Sequence, residues 1–516
     1  MNEFQSKKFL NDLASILPCH NYVYSVAETI YQQKALHKLQ TLIDCDVEIC
    51  ENPKTIIFHP CYGSLHTAIY KDAVMAKYLQ LKGHNTKLLF CGGLLNQCSA
   101  LFTKNYPYNP LTCTNCTTYA QRFCDALNIN YSFYEDYIDA ELMKTIVSNI
   151  ENEYRGINIM KYAKQSAKRY YKGEDFSEYD GLLTKKLVDA AISTEVAEQT
   201  YVKDNPDVIV TSHGCYAEWG PFADYYKNLQ VPVHVWYTGY HPQSLVFNLT
   251  SIDDNFDAWF KNHPKLLPHE KYRLQMLLKN RKMGYGDTLL YGFKDRFVSE
   301  ETYKKTFVLF PNAPWDADET CKDTFFDSII DWVFYTIDIF KNRPEEQLII
   351  RTHPAESVYQ SSKTVFDAIK SDYLELPKNI KIIAPTSSIS SYSLFDVADV
   401  GIVSNGTVGL ELLLSDIPVI TVGGAHYKNK GFTIDATTKE EYLMSINSDL
   451  KIQDKEKLNN YGYYYFCKSF LPTPFWNKVG IFDIHFTFDS WKEVKENKMM
   501  NHIGKCILEN KSFQEW

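Results

Sequence analysis

The sequence predicts an α/β protein with two doubly wound parallel-sheet domains in tandem. One observation is a β-α-β unit from Thr55, in which the apolar run TIIFH, the turn PCYGSLH and the helical KDAVMAKYLQLKGH precede a second strand, NTKLLFC. Another is a series of five strand-like runs in the C-terminal half, separated by helical segments. The third is the length of 516 residues, which exceeds what one core usually holds. Such alternation is typical of parallel sheets with right-handed crossovers.

The N-terminal domain is predicted to span residues 1–300. After the first β-α-β unit, residues of about 117–200 look helical and are interpreted as an insertion. DVIVTS (207–212) and PVHVWY (232–237) then predict two further strands, joined by the helix AEWGPFADYYKNL. The stretch 240–300 is charged and helical, and it is interpreted as a link and cover between the domains.

The C-terminal domain is predicted to span residues 301–455. Its helical segments are typical of crossovers, and the aromatic, helical tail 456–516 is expected to cross back to the first domain. Two such sheets would face a cleft, with ligands outside the carboxyl ends of the strands. The five strands are predicted at TFVLF (306–310), QLIIR (347–351), IKII (380–383), DVGIVS (399–404) and PVITVG (418–423).

Composition and charge indicate where the protein works and which classes of ligand it does not bind. The net charge is −9, and no Lys/Arg run is long enough to track a phosphate backbone, which argues against nucleic-acid binding. No window approaches a membrane span, and the N-terminus lacks the pattern of a secretory signal. We therefore expect a cytoplasmic protein, with peripheral association on the inner face of the plasma membrane left open.

Cysteines and acidic pairs bear on metal binding. The spacing of CTNC suits a pair of metal ligands, but no second pair follows at a familiar distance, so no resident metal is predicted. The DAD sequence from Asp316 to Asp318 is the one acidic pair that leaves Mg²⁺ open. Five cysteines leave the metal question open: Cys91, Cys98, Cys113, Cys116 and Cys124.

The motif RTHPAE follows the strand QLIIR and predicts part of a ligand site. Pro354 ends the strand, so that His353 is presented at the carboxyl edge of the sheet beside Arg351. An imidazole there can donate to a phosphate oxygen or protonate a leaving phosphate. A His that only satisfies a backbone group remains the alternative.

Two further polar loops follow neighbouring predicted strands. SNGTVGLELLL follows DVGIV and opens a helix, where small residues leave backbone N–H groups facing an anion. Glu411, about one turn later, could accept ribose hydroxyls, although plain N-caps and a solvated Glu are the alternatives. The other loop, APTSSISSYS (384–393), follows IKII and is rich in hydroxyl groups that suit phosphate or base contacts. Together with RTHPAE these two loops predict a nucleotide-sugar pocket. Its candidate residues in the two loops are Thr386, Ser387, Ser404, Asn405, Gly406, Thr407 and Glu411.

The order of these motifs resembles the bacterial capsule polysaccharide biosynthesis family. H-P follows one strand, S-x-G-x-x-G-x-E follows another, and PVITVGGAHYKNKGFTID closes the segment, so the resemblance covers about 306–445. NAPWDADE (312–319) also resembles the opening of the second domain in related surface-glycan transferases. The matching residues of the closing segment are Gly423, Tyr427, Gly431, Thr433 and Asp435.

The resemblance implies a GT-B glycosyltransferase, whose C-terminal domain holds a donor such as CMP-Kdo or a related CMP-activated acidic sugar. It places His353 and Pro354 at the donor phosphate, with Arg351 close by. It also assigns Ser404, Gly406 and Thr407 to a helix-end cradle, and Glu411 to the nucleotide. No cofactor besides the nucleotide-sugar co-substrate is implied.

The acceptor side is predicted in SHGCYAEWG, after the strand DVIVTS. His213 and Glu218 are expected to face the cleft. The candidate general bases are His213, Glu218, Asp224 and, in the turn after TFVLF, Asp316. The acceptor is expected to be a growing surface or capsular polysaccharide, or its lipid-linked precursor.

Other functions stay open beside this glycosyltransferase hypothesis. Transfer of an alditol phosphate, of the teichoic-acid type, would use a similar His. A non-catalytic component of a polysaccharide assembly or export complex would keep the same fold without activity. A nucleotide-sugar epimerase needs more acidic residues between the domains than the sequence offers.

Overall fold

The computed structural model describes residues 20–63, 68–96, 98, 110–173, 180–239, 243–283, 295–299, 301–316, 324–359, 361, 363–478 and 484–516. The N-terminal residues 1–19, on which the prediction about a secretory signal depends, lie outside this part, as does Asp318.

The chain divides into two compact units. The first comprises Met1–Tyr170, Phe176–Leu249 and Phe470–Trp516, and the second Tyr171–Asp175 and Thr250–Ser469. The division thus falls at 249/250 and 469/470, not at 300/301 and 455/456. The reason is an aromatic contact between distant segments, since Phe256 packs at 4.7 Å from the ring of Tyr461 within the second unit. Periodicity does not reveal such a contact.

The first unit is built on a seven-stranded sheet in the order β15-β8-β7-β6-β1-β2-β3. The five strands from β7 to β3 are parallel, while β8 and β15 join antiparallel at one edge. Two small hairpins complete the β structure. The strands are β1 Thr55–Cys61, β2 Asn85–Phe90, β3 Asn130–Phe133, β4 Glu153–Tyr154, β5 Ile157–Asn158, β6 Val208–Ser212, β7 Val233–Thr238, β8 Ser244–Phe247, β15 Leu471–Pro472, β16 Trp476–Lys478 and β17 Ile484–Phe486.

Strand β3 corrects the prediction of a helical insertion at 117–200. It is an edge strand of four residues, NYSF, and only partly buried, so it carries no apolar run that a pattern could detect. The segment therefore holds a strand of the sheet as well as helices. The helices of the first unit are α1 His20–Thr41, α2 Ala68–Leu81, α3 Pro110–Leu127, α4 Ala140–Ser148, α5 Ile159–Tyr171 (whose last residue counts with the second unit), α6 Asp180–Asp204, α7 Gly220–Asn228, α16 Trp491–Lys495 and α17 Lys498–Glu509.

The C-terminal segment joins the first unit, as the sequence predicts. Ile503 and Ile507 of α17 lie in the same core as Ile56 and Phe58 of β1. Phe513 stacks on Phe247 of β8 with a centroid distance of 4.1 Å. The segment also adds strand β15 to the sheet, which its helical pattern does not predict.

The second unit contains a six-stranded sheet that is parallel throughout, in the order β11-β10-β9-β12-β13-β14. The chain moves outward from β9 in one direction and then from β12 in the other, which is the doubly wound order. The two predicted parallel sheets are thus confirmed. The strands are β9 Lys305–Phe310, β10 Glu346–Arg351, β11 Ile380–Ile383, β12 Val400–Val403, β13 Val419–Thr421 and β14 Ile434–Asp435.

Helices cover this sheet through apolar faces. Trp332, Val333, Ile337 and Phe340 of one crossover helix join Phe307 and other strand residues in a buried core. No helix in the described part of the chain is both long and apolar enough to cross a membrane. The helices of the unit are α8 Phe256–Asn262, α9 Pro268–Lys282, α10 Ile329–Lys341, α11 Ala355–Val358, α12 Val365–Asp372, α13 Val408–Leu413, α14 Lys439–Ile446 and α15 Lys455–Tyr463.

We predict that Phe513→Ala strongly destabilises the first unit. Phe513 is 2% exposed, and its removal leaves a cavity against Phe247, which typically costs about 3–5 kcal/mol. The control is Trp516→Ala, because Trp516 lies on the same segment but is 36% exposed. Denaturant unfolding measures both. Equal losses in the two variants would contradict the placement of the tail in this core.

Candidate functional site

The candidate site lies at the carboxyl edge of the sheet in the second unit. Since β10, β9, β12 and β13 are adjacent and parallel, the loops that follow them meet at one edge. The direction of winding changes between β9 and β12, and ligands of doubly wound sheets bind at such a point. The structure thus brings together the loops that contain Asp316, His353 and Ser404.

The turn at His353 and Pro354 presents a hydrogen-bond donor. The backbone N–H of Ala355 donates to Nδ1 of His353 at 3.1 Å, so that in the neutral ring the proton lies on Nε2. Pro354 is the N-cap of the short helix α11. An Nε2–H group of this kind can donate to a phosphate oxygen.

Arg351 lies beneath this turn at the end of β10. It is 1% exposed, and its Nη1 donates to the carbonyl oxygen of Ala384 at 2.7 Å, which ties the ends of β10 and β11 together. Burial lowers the pKa of Arg351 to about 10, so the guanidinium keeps its charge at neutral pH. The predicted Thr386 is exposed, whereas Ser387 is half-buried and accepts a hydrogen bond from the backbone of Ile389.

Glu356 is a candidate residue that sequence reasoning missed. Its side chain is 0% exposed, and Oε1 accepts a hydrogen bond from the backbone N–H of Val365 at 2.9 Å. Oε2 has no hydrogen-bond partner among the described residues. Burial, with a smaller effect of Asp367, raises the pKa of this carboxyl to about 7. An acid directly after H-P-A was the available signal.

The loop 404–407 is held by the closing segment of the family motif. The Tyr427 hydroxyl donates to the carbonyl oxygen of Gly406 at 2.6 Å. A Cβ on Gly409 would collide with that hydroxyl, and one on Gly423 would collide with Ser404, so both glycines allow close packing. The motif residues thus fix the shape of this loop.

The predicted helix-end cradle is short. Helix α13 spans only six residues, and Thr407 is its N-cap without a side-chain capping bond. Asn405 contributes a different feature, because its Oδ1 is buried without a hydrogen-bond partner among the described residues. The roles of Ser404, Gly406 and Thr407 at an anion remain predictions.

Glu411 is placed differently from the expectation that it holds a ribose. It is 3% exposed, and Oε1 pairs with Nε of Arg281 at 2.6 Å. Arg281 comes from α9, in the stretch that looked like a link between domains. Because the carboxylate is buried against a guanidinium, the structure gives Glu411 a packing role.

The closing segment also places polar atoms at this edge. Asp435 accepts hydrogen bonds from the Thr421 hydroxyl at 2.6 Å and the Asn429 backbone at 2.8 Å. Nδ1 of His426 lies 2.8 Å from the Tyr461 hydroxyl, and burial lowers the pKa of His426 to about 3. Nε2 of His426 and Oγ1 of Thr433 are buried without a hydrogen-bond partner among the described residues.

In the first unit, His213 follows β6 at the carboxyl edge of that sheet. Its backbone is left-handed with φ 59°, and its half-buried ring stacks on Trp219 at 5.3 Å. Burial lowers the pKa of His213 to about 3, with the charges of Arg169 and Lys71 acting in the same direction. The ring is therefore neutral at physiological pH, and the role of His213 as general base stays a prediction.

Glu218 does not reach solvent, contrary to the expectation that it faces a cleft. It is 0% exposed and pairs with the equally buried Nζ of Lys186 at 3.0 Å. Asp189 lies in the same cluster, and burial raises its pKa to about 6. A carboxylate held in this way is not available as a general base.

The candidate metal ligands of the sequence analysis lie in two places. Asp316 is exposed after β9, whereas its predicted partner Asp318 lies outside the described residues. Cys116 accepts a hydrogen bond from the backbone of Gly63 at 3.1 Å, and Cys91, Cys98 and Cys124 are buried while Cys113 is half-buried. Within the described ranges no group of three His, Cys, Asp or Glu residues is placed to hold a metal ion.

The comparisons with known proteins bear on the same part of the chain. Residues 295–460 match the family model described as capsule polysaccharide biosynthesis protein. The predicted resemblance is thus confirmed over this segment, which contains the HP turn and the loop 404–407 and is less than half of the chain. No curated protein matches the chain at a significant level.

Solved structures give further similarities. Thermosulfurimonas dismutans KpsC, beta Kdo 2,4 transferase, is 12% identical with a TM-score of 0.35, over 50% of this chain and 79% of that one. The beta Kdo 2,7 transferase of the same KpsC is 15% identical with a TM-score of 0.32, over 52% and 79%. Acinetobacter baumannii MurG is 11% identical with a TM-score of 0.27, over 89% and 100%.

We predict that Arg281→Met alone is strongly destabilising. It leaves the Glu411 carboxylate buried without its cation, which typically costs about 3–5 kcal/mol. Adding Glu411→Leu should restore most of the loss, because no buried charge then remains. Arg296→Met in the exposed pair with Asp396 is the control, with an expected loss under about 1 kcal/mol. Equal losses at both pairs in denaturant unfolding would contradict this interpretation.

We also predict that Glu356 makes the second unit more stable at acidic pH than at neutral pH. The pKa of Glu356 in the folded protein is about 7, above its ordinary value of 4.5. Its favourable contribution to the free energy of unfolding is therefore complete below pH 4.5 and is lost as the pH rises through about 7. Glu356→Gln should remove this dependence while an oxygen still accepts from Val365. Thermal unfolding from pH 4.5 to 8, with exposed Glu375→Gln as control, measures it. The prediction fails if the Glu356 variant keeps the wild-type slope.

Proposed function

We propose that the chain is a glycosyltransferase that moves a sugar from a nucleotide-activated donor to a growing surface or capsular polysaccharide, or to its lipid-linked precursor. One observation carries this proposal. At the carboxyl edge of the sheet in the second unit, several buried polar atoms have no hydrogen-bond partner among the described residues. They are Oδ1 of Asn312, Oε2 of Glu356, Oδ1 of Asn405 and Nε2 of His426.

Such atoms support a polar ligand at this edge. A buried polar atom without a partner costs about 1–3 kcal/mol, so each such atom in a native protein calls for a partner such as a water or a ligand. All four belong to the segments that follow the parallel strands β9, β10, β12 and β13. The edge is also where doubly wound sheets bind nucleotides. A nucleotide sugar, with its hydroxyls, ring nitrogens and phosphate, offers partners of this kind.

The proposed chemistry is direct displacement at the anomeric carbon. His353 Nε2–H donates to the departing phosphate, and the charge of Arg351 beneath the turn favours the negative charge that develops there. The bond between the anomeric carbon and the donor phosphate breaks as the new glycosidic bond forms. The acceptor hydroxyl gives its proton to a base, for which the exposed Asp316 after β9 is the proposed residue. The first unit is proposed to bind the acceptor near His213. The charge of the departing phosphate is met by side chains, without a resident metal.

For the donor we propose a CMP-activated acidic sugar, of which CMP-Kdo is one. The match of residues 295–460 to the capsule polysaccharide family supports this class. Peripheral association with the inner face of the membrane, or with polysaccharide assembly proteins, is part of this proposal. It is proposed because the proposed acceptor is a surface polysaccharide or its lipid-linked precursor.

The test combines nucleotide binding with one substitution. At about 100 times its dissociation constant a nucleotide should add ~2.7 kcal/mol of stability, so a thermal-shift panel of CMP, CDP, UDP, GDP and their sugar conjugates should show a selective shift with CMP compounds. His353→Ala should lower turnover by about 10²-fold or more. His269→Ala, an exposed His on α9, is the control.

Each arm has a contrary outcome. A selective shift with UDP or GDP would replace the proposed donor class. Binding without turnover on any acceptor would favour the non-catalytic assembly role. Turnover of the His353 variant within twofold of the wild type would overturn the assignment of the HP turn.

A further inference from the structure

His426 lies in the segment that follows β13, at the carboxyl edge of the sheet in the second unit. Its ring meets that of Tyr427 edge-on, with centroids 5.0 Å apart. The hydroxyl of the same Tyr427 donates to the carbonyl oxygen of Gly406 at 2.6 Å. The imidazole of His426 therefore lies against the residue that holds the loop 404–407.

Two further rings fix the plane of this imidazole. Tyr465 stacks on His426 at 4.1 Å between centroids with an interplanar angle of 16°, and Tyr461 lies 5.9 Å away at 25°. Stacked rings restrict rotation of the side chain, so the two ring nitrogens keep fixed positions. A nitrogen held in this way can select among ligands without first being ordered by them.

The hydrogen bonds of the Tyr461 hydroxyl assign the proton of the imidazole. A carbonyl oxygen can only accept, so the hydroxyl donates its single proton to the carbonyl oxygen of His426 at 2.7 Å. The same hydroxyl lies 2.8 Å from Nδ1 and has only lone pairs left, so Nδ1–H is the donor there. Burial, with a smaller effect of Lys430, lowers the pKa of His426 to about 3, so the neutral ring has one proton. Nε2 is therefore an acceptor.

This acceptor is buried and has no hydrogen-bond partner among the described residues. It calls for an N–H or O–H group, because a buried acceptor without a donor is costly. Deprotonated phosphate and carboxylate oxygens only accept, so they do not satisfy Nε2. The donors that a nucleotide sugar offers are the N–H groups of its base and the hydroxyls of its ribose and its sugar.

We propose that Nε2 of His426 accepts a hydrogen bond from an N–H or O–H group of the activated sugar nucleotide, and that this contact helps to select the ligand. The inference rests on the proposed function and adds an uncharged contact to the same site. A site built to bond such a group rejects analogues that lack it, because its own buried polar atom is then left unpaired.

The test compares two amides that each replace one nitrogen of the ring. The amide nitrogen of Asn takes a position close to that of Nδ1, whereas the amide oxygen of Gln takes one close to that of Nε2. His426→Asn therefore keeps a donor for Tyr461 and removes the acceptor, and His426→Gln does the reverse. His426→Phe removes the acceptor in a second way and keeps a ring to stack on Tyr465.

His263→Asn is the matched control. His263 also donates from Nδ1, to the carbonyl oxygen of Trp259 at 3.0 Å, and stacks on that ring at 4.5 Å, but it is exposed. Binding is measured on the full-length proteins, and melting temperatures check that each variant folds. The ligands are the nucleotide that binds the wild type most tightly among CMP, CDP, UDP and GDP, its 2′-deoxy and 3′-deoxy analogues, and its sugar conjugate.

We expect His426→Asn and His426→Phe to weaken binding about tenfold, and His426→Gln to stay within threefold of the wild type. The His263 control should stay within twofold. A deoxy analogue that binds the wild type and His426→Asn equally would assign the contact to that ribose hydroxyl. Equal losses for the nucleotide and both analogues would assign it to the base, and a loss confined to the conjugate would assign it to the sugar.

Two results would overturn this inference and leave the proposed function standing. One is binding of every ligand within twofold of the wild type by a folded His426→Asn or, if that variant does not fold, by His426→Phe. The other is a loss in His426→Gln as large as in these variants, which would give the ring a packing role. Failure of the wild type to bind any nucleotide would overturn both proposals.

Discussion

The parallel pairing of β9 with both β10 and β12 is the constraint on which the second unit depends. β9 is buried almost along its whole length, and the chain leaves it first toward β11 and later toward β14. Right-handed crossovers in these two directions lie on opposite faces of the sheet. The loops after β9, β10 and β12 therefore meet at the carboxyl edge, where a crevice is left between them. The HP turn and the loop 404–407 owe their proximity to this pairing.

The residues around that edge divide into those that shape it and those with buried polar atoms that have no partner among the described residues. Tyr427 and the glycines beside it fix the backbone of the loop 404–407, and Asp435 fixes the segment that carries Tyr427. Glu411 and Glu218 are both taken up by buried ion pairs within their own units. The polar atoms that remain without protein partners, such as Oδ1 of Asn405 and Oε2 of Glu356, are the ones suited to a ligand.

The sequence predicts the strands of the two sheets well, but it does not show which acidic side chains form buried ion pairs. Apolar runs such as TFVLF identify buried parallel strands, because burial on both faces leaves a continuous signal. The sequence does not predict β3, because this edge strand carries no such apolar run. The sequence does not show the ion pairs of Glu411 and Glu218, because their partners, Arg281 and Lys186, lie far away in sequence.

The most direct measurement is hydrogen–deuterium exchange of the full chain with and without the nucleotide that stabilises it most. If the nucleotide binds at the carboxyl edge of the second sheet, amides in 353–359 and 404–413 should exchange more slowly in its presence, since ligand contact suppresses local opening. Unchanged exchange in both segments, with protection confined to the first unit, would contradict the account.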